Sequence, residues 1–264
     1  MRSWFLSTLA LALFGWVLFR MPLPPFLAKM PGAAPDAEES RALREEATAL
    51  RRHGKWERAL RVERRLHDAY PGDPTYMAEL GEIYDHLGRF AEEAAIWAEF
   101  FDHSPTPLEG CPQAGQAYEK LGRQREAIAV FERCLSFQPD LPDSLFYLAH
   151  ALERDGNIGR AAELYEHGWK LFPANGDLAT GLARMRLRQG QPEEARRLAG
   201  DVLRAAGGKN SDALLVAGLA ARRLGDRAAA LDYLRRGAAL APRDEDFKTT
   251  LAQMAAEDAG RDRP

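Results

Sequence analysis

The sequence predicts an all-α fold, a right-handed α-solenoid in which about six helix-turn-helix units stack in series under a closing helix. Three kinds of position recur in phase. A glycine recurs every 34 or 35 residues, a small residue lies seven positions before each glycine, and a proline lies seventeen positions after five of the six. A fixed period of this length is typical of helical repeat arrays. The glycines are Gly54, Gly88, Gly122, Gly156, Gly190 and Gly225.

Each unit is predicted to contain two amphipathic helices separated by its glycine. In the second unit, apolar residues at helical spacing form one stripe before Gly88 and another after it. The first stripe contains Met77, Leu80, Gly81 and Tyr84, and the second contains Ile96, Trp97 and Phe100. Glycine allows the left-handed backbone that often ends a helix, and proline prevents the second helix from continuing. Because neither helix can bury its stripe alone, adjacent units must stack.

The array is predicted to span residues 38–257. Its last segment, residues 244–257, has apolar residues at helical spacing, which predicts the closing helix. These apolar residues are Phe247, Leu251 and Met254. Residues 258–264 are predicted to form a disordered tail.

Two stretches of the array resemble a known family. They read Leu80-Gly81-x-x-Tyr84-x-x-x-Gly88-x-Phe90 and Gly115-x-x-Tyr118-x-x-x-Gly122, the second followed by Ala127, Phe131 and Pro139. This pattern resembles tetratricopeptide repeats over roughly residues 40–242. The resemblance implies a tetratricopeptide-type solenoid that binds a protein or peptide partner along its first helices, rather than an enzyme. One departure is Glu93, which stands where the other units have alanine.

An uncharged segment, residues 3–19, lies between Arg2 and Arg20 near the amino terminus. In a helix these residues span roughly 25 Å, the short end of what crosses a bilayer. We therefore predict a transmembrane anchor over residues 1–21. A cleaved signal peptide is the alternative, but no favourable small-x-small cleavage site follows the apolar segment.

Residues 22–37 contain five prolines and are predicted to form a semi-rigid linker between the anchor and the array. A very short tail before a first apolar segment usually stays in the cytoplasm. We therefore expect a single-pass membrane protein whose array lies on the extracytoplasmic side, which is the periplasm in a bacterium.

The composition argues against a nucleic-acid partner and against catalysis. Charged residues make up 28% of the chain and the net charge is -3, so no basic domain is available to attract phosphates. The sequence contains neither a phosphate-binding glycine loop nor a His-Glu-x-x-His zinc motif, and its six histidines are scattered along the units. We therefore expect no catalytic residues, no cofactor and no metal site.

The two cysteines, Cys111 and Cys134, fall on the first and second helices of the third unit. Two thiols cannot form a four-thiolate zinc site. Both positions face the interface of the helix pair, and we expect two buried, reduced cysteines. The alternative is a disulfide that joins the two helices, which requires an oxidising compartment.

The inner face of such an array is lined mainly by first helices, and in the fourth unit this face is aromatic. Phe146, Tyr147 and His150 lie ten, nine and six positions before Gly156, all inward-facing offsets. We predict that they anchor a bound segment, because aromatic side chains in a groove are common binding anchors. Packing of the same rings against a neighbouring helix is the alternative. The predicted peptide-binding set also includes Gln113 and Gln116 one unit before, and an apolar patch of Leu215, Val216 and Leu219.

Together these features predict a membrane-tethered scaffold that holds a polypeptide segment in its groove during assembly or maturation of an envelope complex. The identity of the protein or peptide partner does not follow from the repeats. One alternative is a structural protein that self-associates into a homo-oligomer at the membrane. Another is a secreted or periplasmic adaptor, released when a signal peptide is cleaved.

Overall fold

The computed structural model describes residues 35–261, and within that range the regular structure is helical throughout. Thirteen α-helices follow one another there without a strand, which confirms the all-α class for these residues. The helices are α1 (Ala37–Arg52), α2 (Trp56–Ala69), α3 (Pro74–His86), α4 (Phe90–His103), α5 (Cys111–Lys120), α6 (Gln124–Phe137), α7 (Pro142–Arg154), α8 (Ile158–Leu171), α9 (Gly176–Arg188), α10 (Pro192–Ala205), α11 (Ser211–Arg223), α12 (Arg227–Leu240) and α13 (Glu245–Arg261). A short 3₁₀-helix, Pro107–Gly110, precedes α5.

The predicted anchor over residues 3–19 lies outside the described residues, as does the linker up to residue 34. Within residues 35–261, no helix combines the length and the apolar character needed to span a bilayer. The anchor therefore stays a prediction.

The six phased glycines form the turns between paired helices, as predicted. Each adopts a positive φ, from 65° at Gly54 to 84° at Gly156, which glycine reaches without steric strain. Just after Gly122, the backbone N–H of Arg123 donates to the Tyr118 carbonyl oxygen at 2.9 Å. This hydrogen bond satisfies a carbonyl group in the last turn of α5 and reverses the chain into α6.

By their internal contacts, the described residues form two compact units that divide between Leu87 and Gly88. The first unit contains α1 to α3, and α2 contacts both of the others. One buried apolar cluster in this unit contains a residue from each helix, namely Leu43, Leu66 and Tyr76.

The second compact unit contains α4 to α13, in which each helix packs against the next along the chain. Successive first helices also contact each other, so α7 contacts α5 and α9, and α9 contacts α11. A continuous buried cluster runs from Ala127 in α6 to Ala220 in α11. Phe247 and Met254 of α13 pack with buried residues of α12 in a smaller cluster. The helix α13 is thus the predicted closing helix.

Close packing of paired helices depends on the small residues that precede the turn glycines. A Cβ atom placed on Gly115 would lie 2.0 Å from Cζ of Phe131, and one placed on Gly218 would lie 2.8 Å from Cγ of Leu234. Non-bonded carbon atoms do not approach this closely. The large side chain of the second helix therefore occupies the space that a side chain on the first helix would need.

Glu93, the departure from the small-residue pattern, is buried, with 2% of its surface exposed. Lys120 on α5 compensates its charge, because the Lys120 Nζ atom lies 3.3 Å from Glu93 Oε1. The same ammonium group lies 5.2 Å from the centre of the Phe90 ring, within the range of a cation–π contact. The larger residue is thus accommodated by an ion pair between α4 and α5.

Cys111 and Cys134 form a disulfide between α5 and α6, so the expectation of two reduced cysteines was wrong. Their Cα atoms are 6.0 Å apart, which suits the geometry of a cystine. With ten residues, α5 is the shortest of the described α-helices, and it buries only small side chains. The cross-link thus holds together a helix pair whose apolar contact is limited.

Glu63 on α2 is a fully buried acidic residue in the first compact unit. Burial, and to a lesser extent the neighbouring Glu79, raise its pKa to about 9, although Arg51 acts in the opposite direction. The Arg51 guanidinium is engaged by two other carboxylates, with Nη2 2.6 Å from Glu79 Oε1 and Nη1 2.7 Å from Glu82 Oε2. Glu63 is therefore held in its neutral form at neutral pH.

We expect Gly115→Ala and Gly159→Ala to change stability in opposite directions. The first forces a methyl group against the Phe131 ring and should lower the free energy of unfolding by about 1–3 kcal/mol. Gly159 lies in α8, and a Cβ atom added there would have no other atom within 4 Å. Alanine at this position should therefore raise the free energy of unfolding by about 0.5–1 kcal/mol. Urea denaturation measures both. Equal effects of the two substitutions would contradict the proposed close packing.

We expect the stability of the protein to fall as the pH rises, because Glu63 is buried. The pKa of Glu63 is about 9 in the folded protein and 4.5 in the ordinary, unfolded case. The contribution of Glu63 to stability is therefore fully present below pH 4.5 and is lost as the pH rises toward about 9. Glu63→Gln should therefore raise the free energy of unfolding at pH 8 by about 2 kcal/mol or more and should flatten its pH dependence. Glu46→Gln, at an exposed site on α1, is the control. The same pH profile in wild type and Glu63→Gln would refute this role.

Candidate functional site

Three successive first helices, α7, α9 and α11, line an open cleft of about 200 Å³ in the second compact unit. Its lining residues occupy the inward-facing offsets that the repeat period predicts. They are Phe146, His150, Glu153, Arg154, Asp177, Thr180, Gly181, Arg184, Arg188 and Asp212. The cleft combines an aromatic wall from α7 with charged and polar side chains from all three helices.

The aromatic wall consists of Phe146 and His150, which line the cleft, and of Tyr147, which lies against Phe146 at its edge. All three side chains are half-buried. Phe146 and His150 stack with ring centres 5.9 Å apart, and Phe146 meets Tyr147 edge-on at 5.5 Å. Tyr147 also stacks on Phe131 of α6, with ring centres 5.5 Å apart. Part of each ring therefore packs on protein while the rest stays accessible. These side chains therefore pack against neighbouring helices and also keep some exposed surface, so their role as anchors of a bound segment stays a prediction.

A carboxylate, Glu153, organises the arginines of the cleft. Arg184 donates to it twice, from Nε to Oε1 at 2.7 Å and from Nη2 to Oε2 at 2.9 Å. Arg188 Nη2 lies 3.4 Å from the same Oε1 atom. Tyr165 of α8 donates its hydroxyl hydrogen to Oε2 at 3.5 Å, and burial raises the pKa of Tyr165 so that it stays protonated. Glu153 is thus almost fully buried and ion-paired.

His150 lies between the rings and this charge network. Burial lowers the pKa of His150. Among the surrounding charges, Glu119 and Glu153 raise this pKa, whereas Arg184 and Arg154 lower it. Because the balance is a lowered pKa, the imidazole is mostly neutral at physiological pH and acts as a flat, weakly polar surface.

Three aspartates occupy the same position in consecutive first helices, thirteen residues before the turn glycine. Asp143, Asp177 and Asp212 are all exposed, and none forms an ion pair with another described residue. Burial raises the pKa of Tyr147, and the Asp143 and Asp177 carboxylates raise it further. The Tyr147 hydroxyl therefore lies within the electrostatic influence of two unpaired carboxylates.

The remaining predicted site residues lie outside the cleft. Gln113 is exposed and Gln116 is half-buried on α5. The predicted apolar patch on α11 is divided, because Val216 is buried, with 2% exposed, while Leu215 packs toward the α13 cluster and Leu219 toward the larger core. Val216 therefore has no side-chain surface to offer a partner.

The sequence analysis did not select the polar residues of the cleft as site residues. Asp177, Thr180 and Arg184 lie one helical turn apart in succession on α9, so they share one face. The signal that could have identified this face is the equal offset of its residues from successive turn glycines.

A second cleft of about 320 Å³ is lined by α8, α9 and α10 and by the loops that follow α8 and α10, with Trp169 and Val202 in its wall. Its charged side chain, Asp201, is engaged by Arg197 at 3.1 Å and by Arg204. Residues 35–261 contain no cluster of three side chains suited to hold a metal ion. The α7–α9–α11 cleft is therefore the candidate binding site with unpaired polar groups.

Comparison with known families and structures identifies the repeat. Family models described as tetratricopeptide repeat match residues 44–99, 110–141 and 152–222, which together make up more than half of the chain. No curated protein sequence matches the chain significantly.

Solved structures show the same helical fold. PilW, described as a type IV pilus biogenesis factor, is 20% identical over 82% of this chain and 100% of its own, with a TM-score of 0.64. PilF of Pseudomonas aeruginosa is 17% identical over 81% of this chain and 97% of its own, with a TM-score of 0.62. YrrB, described as having an unusual peptide-binding site, is 15% identical over 72% of this chain and 97% of its own, with a TM-score of 0.53. At these identities the similarity establishes the fold alone.

Proposed function

Because this chain is built from tetratricopeptide repeats, we propose that it is a protein-binding scaffold that holds a polypeptide segment in the α7–α9–α11 cleft. The observation that carries this proposal is the half-accessible wall of Phe146, Tyr147 and His150 beside unpaired polar groups. Aromatic side chains that are already packed on one side lose little conformational entropy on binding, and they often dominate the binding energy of an interface.

The scaffold would act in the assembly or maturation of an envelope complex. The fold similarity to PilW, a pilus biogenesis factor, and to YrrB, a protein with a peptide-binding site, is consistent with such a role. We do not propose a catalytic role, because the Glu153 carboxylate of the cleft is paired with Arg184 and Arg188.

We further propose that the array is tethered to a membrane through residues 3–19 and lies on the extracytoplasmic side. The disulfide between Cys111 and Cys134 supports this placement, because disulfides persist mainly in oxidising compartments. The uncharged amino-terminal segment supports the tether.

Self-association is the second candidate function. Phe137, Leu171 and Leu240 each lie fifteen positions after the turn glycine of their unit, and 44–49% of each side chain is exposed. A repeated exposed apolar position can serve contacts between copies of the chain. Light scattering over a range of protein concentrations separates this function from the capture of a partner segment.

We expect Tyr147→Ala to weaken segment binding at least tenfold, because the loss of an aromatic anchor typically costs about 2 kcal/mol or more. The probe is an array of random-sequence dodecapeptides exposed to the full chain in detergent, followed by fluorescence anisotropy with the peptides that bind. Phe137→Ala, which truncates an exposed aromatic side chain outside the cleft, should leave these affinities unchanged. Equal binding of every peptide to wild type and Tyr147→Ala would refute the proposed function of the cleft.

We expect the mature protein to keep residues 3–19 and an oxidised cysteine pair. N-terminal sequencing of protein taken from the membrane fraction should begin before Ala12. Alkylation of cells quenched in acid should leave Cys111 and Cys134 unmodified unless a reductant is added first. A mature chain that begins beyond Ala12 would refute the tether, and alkylation of both thiols without reductant would refute the extracytoplasmic placement.

A further inference from the structure

The aspartates at the edge of the cleft are its uncompensated charges. Asp143, Asp177 and Asp212 repeat at one position of α7, α9 and α11, and no described cation pairs with them. Among the described residues, the one hydrogen-bond partner of these carboxylates is the Ser211 hydroxyl, which donates to Asp212 Oδ1 at 3.5 Å. Three unpaired carboxylates on consecutive helices produce a negative potential along this edge.

The arginines of the cleft offset only part of this potential, because each is engaged by another carboxylate. Arg184 and Arg188 share Glu153, and Arg154 Nη1 lies 3.5 Å from Glu119 Oε2. Two guanidinium groups on the single Glu153 carboxylate leave one positive charge against the three aspartates, so a ligand group at this edge meets an excess of negative charge.

A buried hydroxyl group in the cleft, that of Thr180, is a second and independent feature that points to a ligand. Thr180 lines the cleft one helical turn after Asp177, and only 3% of its surface is exposed. Its hydroxyl oxygen forms no hydrogen bond with any described residue. A buried hydroxyl without a partner is unfavourable, and an N–H donor brought in by a ligand would satisfy it.

The aromatic wall suits a cation as well. Tyr147 lies one helical turn after Asp143 on α7, within the electrostatic influence of the Asp143 and Asp177 carboxylates, and it is only partly buried. A Lys ammonium or an Arg guanidinium placed over such a ring gains a cation–π interaction in addition to its ion pairs. Phe146 and the neutral His150 provide an apolar surface directly beside this position.

We propose that the segment bound in this cleft carries a Lys or Arg side chain that lies over Tyr147 between Asp143 and Asp177, with an apolar neighbour on Phe146. This inference rests on the proposed function of the cleft. An acidic segment is disfavoured, since its carboxylates would face three aspartates at short range. Acidic residues in the first turn also stabilise a helix, so the test must measure ligand selection rather than stability.

The test uses the dodecapeptide array and compares those peptides whose binding to the full chain requires Tyr147. Lys and Arg should be enriched in this set relative to the whole array, next to an apolar residue. The double variant Asp143→Asn/Asp177→Asn should lose the enrichment and should bind the selected peptides about tenfold more weakly. Binding to wild type should also weaken as ionic strength rises, because charge pairs at an exposed edge are screened.

The control is Asp155→Asn, which removes an exposed, unpaired aspartate from the far end of α7. It should leave both the enrichment and the affinities unchanged. A Tyr147-dependent set without basic residues, or one rich in Asp and Glu, would overturn this inference while leaving the scaffold function intact. The absence of any Tyr147-dependent peptide would overturn the scaffold function, and this inference with it.

Discussion

The fit of the Tyr165 ring against the backbone of Gly181 is the contact on which the cleft depends. A Cβ atom at Gly181 would lie 2.3 Å from Tyr165 Cε1, so α8 and α9 pack as they do because residue 181 has no side chain. This packing buries Tyr165 and places its hydroxyl 3.5 Å from Glu153. Glu153 in turn holds Arg184. One steric contact therefore connects helix packing to the charge of the cleft, because Glu153 compensates part of the arginine charge and the three aspartates outweigh the rest.

The helices and turns could be predicted from the sequence because their signals are local and recur in phase. Each turn glycine acts within its own unit, and six units agree. The same period contains a signal for ion pairs that sequence reasoning did not use. Arg184 follows Glu153 by 31 residues, and Glu82 follows Arg51 by 31 residues. A separation near one repeat brings opposite charges onto adjacent first helices, so charge pairs at that spacing could have been expected.

Other features depend on information that the period does not contain. Cys111 and Cys134 face each other in either redox state, so the spacing alone left both states open. Val216 lies at an inward-facing offset, yet α11 contacts α9, α10 and α12 and buries it. The offset rule assumes that each first helix leaves the same stripe uncovered. Side-chain sizes on the neighbouring helices decide whether that holds, and they differ between units.

The disulfide also changes how the array would respond to a pulling force. Repeat arrays unravel in steps, because each unit is held mainly by its neighbours, and every released residue lengthens the chain by about 3.5 Å. The Cys111–Cys134 bridge encloses 23 positions of sequence that a load along the chain cannot extend. The third unit would therefore yield about 80 Å less length than its sequence contains. In single-molecule stretching, this shortfall would disappear after reduction, so the contour length itself reports the redox state of the chain.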